Sequence, residues 1–202
     1  MLANTFVSIL ALAGLAVAEG VNTPSCSAEQ RLKSAQQVIV AYAANPLATY
    51  GEFDKIPFGV PNKAGGCVTT IAANGLCPVP VATTGAGVVQ FGTETRQAFS
   101  SVTGKYTDFP QNLTAVINTN VTLGVNSLIP LPITFNADVY LDFNVNCRIY
   151  QVRAVAWVPS DILGILFQRL NIPVPSAVCS NLPVKREFGQ AAEKRQAIEF
   201  TA

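Results

Sequence analysis

The chain contains no histidine. That absence removes Ser-His-Asp and Cys-His nucleophile systems, which need an imidazole as base, and it removes the commonest transition-metal ligand. Methionine occurs once, at the initiator position, so there is no Met-rich contact surface. Charge is scarce: 13 Lys and Arg stand against 12 Asp and Glu in 202 residues. A balance so close to zero gives no support to electrostatic capture of nucleic acid or of an anionic membrane. No CxxC pair occurs, and Gly85-Ala86-Gly87 is a lone glycine pair rather than a phosphate loop. Neither a metal nor a cofactor is expected.

What is present begins with an apolar run, Phe6 to Ala18, ending in the small residues Ala16-Val17-Ala18. Roughly 13 residues are short for a membrane span, which needs ~20, and the pattern fits a secretory signal peptide over 1–18. Secretion is the expected route, with no membrane span left after signal removal. Residues 19–180 then form one domain, and 181–202 a charged tail. The tail carries two dibasic pairs, Lys185-Arg186 and Lys194-Arg195, which read either as processing sites after Arg186 and Arg195 or as part of a solvated terminal helix. Asn112-Leu-Thr and Asn120-Val-Thr match the glycosylation acceptor pattern. In an oxidising compartment the five cysteines are expected as two bridges with one left over. Cys67 and Cys77, ten residues apart around Asn74-Gly75, make the easiest local pair. The second bridge falls among Cys26, Cys147 and Cys179, with its partners open.

Ser27-Ala-Glu-Gln30 reads as a capping box opening a helix. Leu32, Ala35, Ile39, Tyr42 and Ala43 follow at helical spacing until Asn45-Pro46 ends it. Tyr50 to Ile56 adds a turn or two. Phe58 to Gly87, rich in Gly, Pro, Ala and Thr, reads as an irregular excursion. Val88 to Phe91 reads as a brief strand and Glu94 to Val102 as a short helix. Leu113 to Leu123 is a strand whose wet face carries Asn120. In the next arm Ile133, Phe135, Ala137, Val139, Leu141 and Phe143 alternate with polar residues, which puts them on one face of a strand. A turn at Val145-Asn146 returns the chain as a second strand, and a helix capped by Ser160 or Asp161 follows. The polar set Asn136, Asp138, Tyr140, Asp142 and Asn144 reads as a solvent or subunit-contact face. The order of elements is α+β.

The run Val89-Gln90-Phe91-Gly92-Thr93-Glu94-Thr95-Arg96-Gln97-Ala98-Phe99 resembles the strand-then-helix entry of NTF2-like (SnoaL-type) domains. The stretch from Phe135 to Pro173 resembles their closing hairpin and terminal helix. The resemblance spans about Val88 to Pro173, with Ser27 to Ala44 in place for the first helix. It implies a cone, in which a curved, mainly antiparallel sheet packs on helices and leaves a pocket at one end. It implies pocket positions for Tyr42, Phe91 and Phe99, and for Gln151, Arg153 and Trp157 on one face of the return strand. Enzymes of that family are isomerases, cyclases or dehydratases with an Asp, His or Tyr in an apolar pocket, where burial raises a carboxyl pKa toward neutrality. Asp54, near Tyr50, lies where the resemblance places a pocket acid, with Tyr50 or Tyr42 as proton partner. Such domains also pair through the sheet, which implies a possible homodimer.

Few polar candidates and much apolar wall favour binding over catalysis. The expectation is a secreted protein that binds a small apolar molecule. The alternatives are an isomerase, cyclase or dehydratase using a buried carboxylate, or a non-catalytic interaction protein with a protein partner. A cavity holding one carboxylate points to the enzyme, and one without any acid to the binder.

Overall fold

The computed structural model describes residues 26–125, 129–159, 168 and 198–201. The signal segment, the dibasic pairs at Arg186 and Arg195, Asp161 and Cys179 lie outside them.

The capping box forms as its spacing requires: Ser27 Oγ accepts from Gln30 N, and the Gln30 side chain accepts from Ser27 N. It starts α1 (Ala28–Ala43), which buries Leu32, Ala35, Val38 and Ala41 on one stripe. A short α2 (Thr49–Asp54) follows and buries Phe53.

The segment after Phe58 is ordered, contrary to its loop-like composition. It forms β1 (Gly66–Ala73) and β2 (Val79–Thr84), an antiparallel hairpin. Asn74 and Gly75 both take positive φ, 51° and 79°, the conformation that two-residue hairpin turns demand and that Asn-Gly adopts at least cost. Pro80 is tolerated because β2 is the edge of the sheet.

The reading of Val88 to Phe91 as a strand and Glu94 to Val102 as a helix is corrected. One helix, α3 (Gly85–Arg96), takes in Val88 to Phe91 and stops three residues into the second stretch, whose Phe99 to Val102 open a strand, β3 (Phe99–Phe109). The start signal is Thr84, whose Oγ1 accepts from Gly87 N. Burial of Val88, Val89, Gly92, Thr95 and Arg96 then follows helical spacing, and this tertiary stripe overrides the β preference of Val and Phe.

A short 3-10 turn at Pro110–Asn112 leads into β4 (Thr114–Val125), then β5 (Ile129–Phe143) and β6 (Ile149–Trp157), and Ile198–Thr201 adds β7. The sheet order is β2-β1-β6-β5-β4-β3-β7. Only β1 and β6 run parallel; the other pairs are antiparallel. The helices lie on one face of this mixed sheet, an α+β arrangement in which sheet and helices enclose a cavity. That is the layout the resemblance implies. No helix among the described residues is long and apolar enough to cross a membrane.

The expected Cys67–Cys77 bridge does not form. Cys67 is a buried free thiol, Cys77 is disulfide-bonded elsewhere, and Cys26 pairs with Cys147. Cys67 begins β1 while Cys77 follows the turn at its far end, so a strand of roughly 20 Å separates them. The local spacing was misleading because the intervening residues are extended rather than looped.

Candidate functional site

The face of the sheet that meets the helices is set by strand parity. On β5 it presents Phe135, Ala137, Val139 and Leu141; on β6 Val152, Ala154 and Ala156, with Val158 just past its end; on β1 Thr69, Ile71 and Ala73. The ladders align Ala137, Ala156 and Ala73 as one row across three strands, and Val139, Ala154 and Ile71 as the next. Alanine leaves space where a larger side chain would reach the helices. A cavity of about 150 Å³ results.

Its other wall is aromatic. Tyr42 stands edge-on to Phe53, 5.0 Å between centroids, and 5.8 Å from Phe99, which lies 6.2 Å from Phe135. Gly92 of α3 is where this wall closes most tightly: a Cβ there would come 2.8 Å from the Phe53 ring.

No charged side chain lines the cavity among the described residues. Its polar side chains are Tyr42, Thr69, Thr95 and Thr119. Thr119 Oγ1 donates to Ala137 O at 2.8 Å. Thr95 Oγ1 donates back into its own helix, to Phe91 O at 2.9 Å or Gly92 O at 3.1 Å. A hydroxyl has one proton, so the 3.1 Å contact between Tyr42 Oη and Thr95 Oγ1 has Tyr42 as donor. Tyr42 keeps some exposed surface where it lines the cavity, yet burial pushes its pKa up, offset in part by the Thr95 hydroxyl. Thr69 Oγ1, in contrast, has no hydrogen-bond partner.

Of the residues singled out from sequence, Tyr42, Phe91 and Phe99 line the cavity. Gln151, Arg153 and Trp157 do not; they lie on the outer face of β6. The reason is a register shift between Asp142 and Phe143. Phe143 pairs with Ile149, but Asp142 pairs with Gln151 and Leu141 with Val152. One extra residue on β6 reverses its parity, so Ile149 is buried while Val152, not Gln151, turns inward.

Arg153 instead clasps Asp142 on the outer face, with Nε and Nη2 each 2.9 Å from a carboxylate oxygen, and lies 5.0 Å over the Tyr140 ring. Thr114 Oγ1 donates to the same carboxylate at 2.7 Å. Asp142, expected on a wet face, is therefore buried, whereas Asn118 and Asn120 remain exposed, bonded across to Asp138 and Asn136. Asn112 is exposed too.

Asp54 and Tyr50 are outside the cavity. Asp54 pairs with Lys63, and Tyr50 is 58% exposed. On the short α2, Phe53 takes the inward position, which turns its neighbours out.

Three tyrosines are held protonated by the fold. Burial raises the pKa of Tyr42 and Tyr106, and burial together with the Asp138 charge pushes Tyr140 up to about 12, against the pull of Arg153. A phenol whose folded pKa exceeds its unfolded value of about 10 stabilises the fold below pH 10, and that contribution is lost as pH rises through the folded value. Stability is thus expected to fall between about pH 10 and 12. Tyrosinate absorbance followed alongside far-ultraviolet circular dichroism checks this: part of the tyrosine signal should appear only as the fold is lost. Complete ionisation in an intact fold would contradict it.

No family model matches this chain, and no curated protein matches it. Several solved structures are similar. They include a bacterial protein with a cystatin-like fold from Silicibacter pomeroyi, 9% identical over 68% of this chain and 82% of that one, with a TM-score of 0.45. Another is a protein of the SnoaL-like family from Agrobacterium tumefaciens, 13% identical over 63% of this chain and 97% of that one, TM-score 0.40. A third is an NTF2-like protein of unknown function from Cytophaga hutchinsonii, 14% identical over 63% of this chain and 96% of that one, TM-score 0.39. The structural neighbours of this chain thus include SnoaL-like and NTF2-like proteins.

Proposed function

We propose that this chain is a secreted binding protein that holds a small apolar molecule in the cavity between its sheet and its helices. The observation that carries the reading is the cavity lining, which among the described residues is mostly apolar, with four hydroxyl side chains and no acid. A carboxylate-dependent isomerase or dehydratase needs its acid in contact with substrate. The acid that the resemblance favoured for that role, Asp54, pairs with Lys63 outside the cavity, and the buried Asp142 is held by Arg153 on the outer face of the sheet. Tyr42, the titratable cavity group, donates its proton to Thr95 and resists ionisation. Walls whose described residues offer a ligand no acid suit retention rather than turnover. Exposed Asn112 and Asn120 are the expected glycan carriers.

The test is native mass spectrometry of protein secreted by its own host, after glycosidase treatment. Wild type is expected to retain a neutral small molecule. Ala156→Leu, which builds a side chain up from the centre of the alanine row, is expected to emerge at least tenfold depleted in it. An empty wild-type protein, or equal occupancy in the variant, would overturn the reading.

A further inference from the structure

A buried hydroxyl without a partner is uncommon, because a polar group left dry and unpaired destabilises the fold. Thr69 is in that state. It is 4% exposed, its Oγ1 has no hydrogen-bond partner, and it lines the cavity. The Cys67 sulfur is its contact, and the Thr69 hydroxyl pulls that thiol's pKa down against the rise from burial; sulfur is a weak acceptor, which a ligand oxygen outcompetes.

Two further features single out this position. The other cavity hydroxyls already spend their protons, Thr119 on Ala137 O, Thr95 on its own helix and Tyr42 on Thr95. The β1–β2 ladder is also irregular on both sides of Thr69, with register shifts between Gly66 and Thr69 and between Thr69 and Thr70. Irregularities of this kind re-aim a side chain next to a functional site. A regular ladder with valine at this position would fill the same volume without the dry hydroxyl.

We propose that Thr69 Oγ1 is the polar anchor of the cavity, which therefore selects uncharged, roughly single-ring ligands carrying one carbonyl or hydroxyl oxygen at one end. This rests on the binding reading above and names its ligand class. The size follows from the cavity of about 150 Å³; an engineered apolar cavity of about that volume takes benzene. Neutrality follows from the lining, since an ionised ligand would be desolvated with no opposite charge to meet it. The single oxygen follows from the single unspent donor. On the cavity face of β1, Ile71 separates Thr69 from Ala73, which is four residues or roughly 13 Å away, so the ligand body extends from Thr69 over Ile71 and Ala154 toward the alanine row.

Three probes of nearly one shape separate these claims: acetophenone, its hydrocarbon counterpart α-methylstyrene, and benzoate. Dissociation constants are measured by ligand-observed NMR on wild type, Thr69→Val and Thr69→Ser. Wild type is expected to bind acetophenone roughly tenfold more tightly than α-methylstyrene, the ratio one well-made hydrogen bond supplies, and benzoate least of all. Thr69→Val is expected to erase the tenfold preference and Thr69→Ser to keep it. Ligand-free Thr69→Val is also expected to melt roughly 2–4 °C higher, because it discards the unpaired hydroxyl. Stability gained together with selectivity lost marks an anchor rather than a packing residue.

Equal affinity of wild type for acetophenone and α-methylstyrene, or a preference that survives Thr69→Val, would overturn the anchor and leave the apolar cavity standing. Failure of wild type to bind either neutral probe would overturn both.

Discussion

Replacing Asp108 with asparagine is expected to lower the unfolding free energy by about 3–5 kcal/mol, a large share of the 5–15 typical of a domain. Asp108 is fully buried on β3, and Arg31 of α1 is 2% exposed. The guanidinium grips the carboxylate with both prongs, Nε to Oδ1 at 2.7 Å and Nη2 to Oδ2 at 2.6 Å, while Nη1 donates to Cys26 O at 2.7 Å. Asparagine keeps the volume but removes the charge, so Arg31 remains buried, ionised and uncompensated. The cost comes from that stranded charge and not from the worth of the pair. The double replacement Arg31→Met with Asp108→Leu is accordingly expected to be much less damaging than Asp108→Asn alone. Urea unfolding of the three variants decides it. A loss below about 1 kcal/mol in Asp108→Asn would mean that water reaches the pair and that the buried-charge account is wrong.

The same ion pair bears on the cavity. An unfilled space of about 150 Å³ forfeits contacts worth roughly 3–4 kcal/mol, so a soft structure would close it. Here α1, which contributes Val38, Ile39 and Tyr42 to the wall, is held near both ends. Arg31 fixes its start to β3. Arg96 fixes its finish, with Nη2 donating to Ala44 O at 3.1 Å and Nη1 to Phe99 O at 2.8 Å. A helix pinned at two points cannot slide down onto the alanine floor. On the binding reading proposed above, the dry Thr69 hydroxyl adds to the cost of the empty cavity, and both are recovered when a ligand fills it.

Much of the sheet was legible because it obeys period two over long runs. The alternation from Ile133 to Phe143 named the inward residues of β5, and Ser27 with Gln30 announced α1. Three features were not legible, each for a physical reason. A single-residue bulge opposite Phe143 reverses the parity of β6, and nothing in the local sequence marks it, so Gln151, Arg153 and Trp157 were placed on the wrong face. Val88-Val89-Gln90-Phe91 has strand-forming side chains in a helix fixed by its Thr84 cap and its buried stripe. The cavity itself depends on which alanines fall in register across β1, β6 and β5, a property of pairing rather than of any one segment. Asn74-Gly75, however, is a readable signal for the β1–β2 hairpin, set within a Gly-, Pro- and Thr-rich composition that resembles a loop. Thr69 carried no sequence signal at all; its meaning lies in the missing partner.

The Cys26–Cys147 disulfide is expected to contribute about 4–5 kcal/mol, because it closes a loop with a sequence separation of 121 residues. Cys26 precedes α1 and Cys147 occupies the β5–β6 turn at a positive φ of 57°, so the bridge staples the first helix to the central hairpin. Reductant is the wrong probe, since Cys77 is also disulfide-bonded. A single substitution is equally ambiguous, because the stranded partner could exchange with the Cys67 thiol during folding. The double variant Cys26→Ser with Cys147→Ser avoids both problems. If the bridge acts mainly by restraining the unfolded chain, its loss should lower the urea midpoint and also steepen the transition, because the released chain exposes more surface. The same midpoint shift with an unchanged slope would locate the effect in the native state instead, at the Cys26 carbonyl that Arg31 also uses. In that case adding Asp108→Asn would cost less than the sum of the two changes, whereas a purely unfolded-state effect would leave them additive.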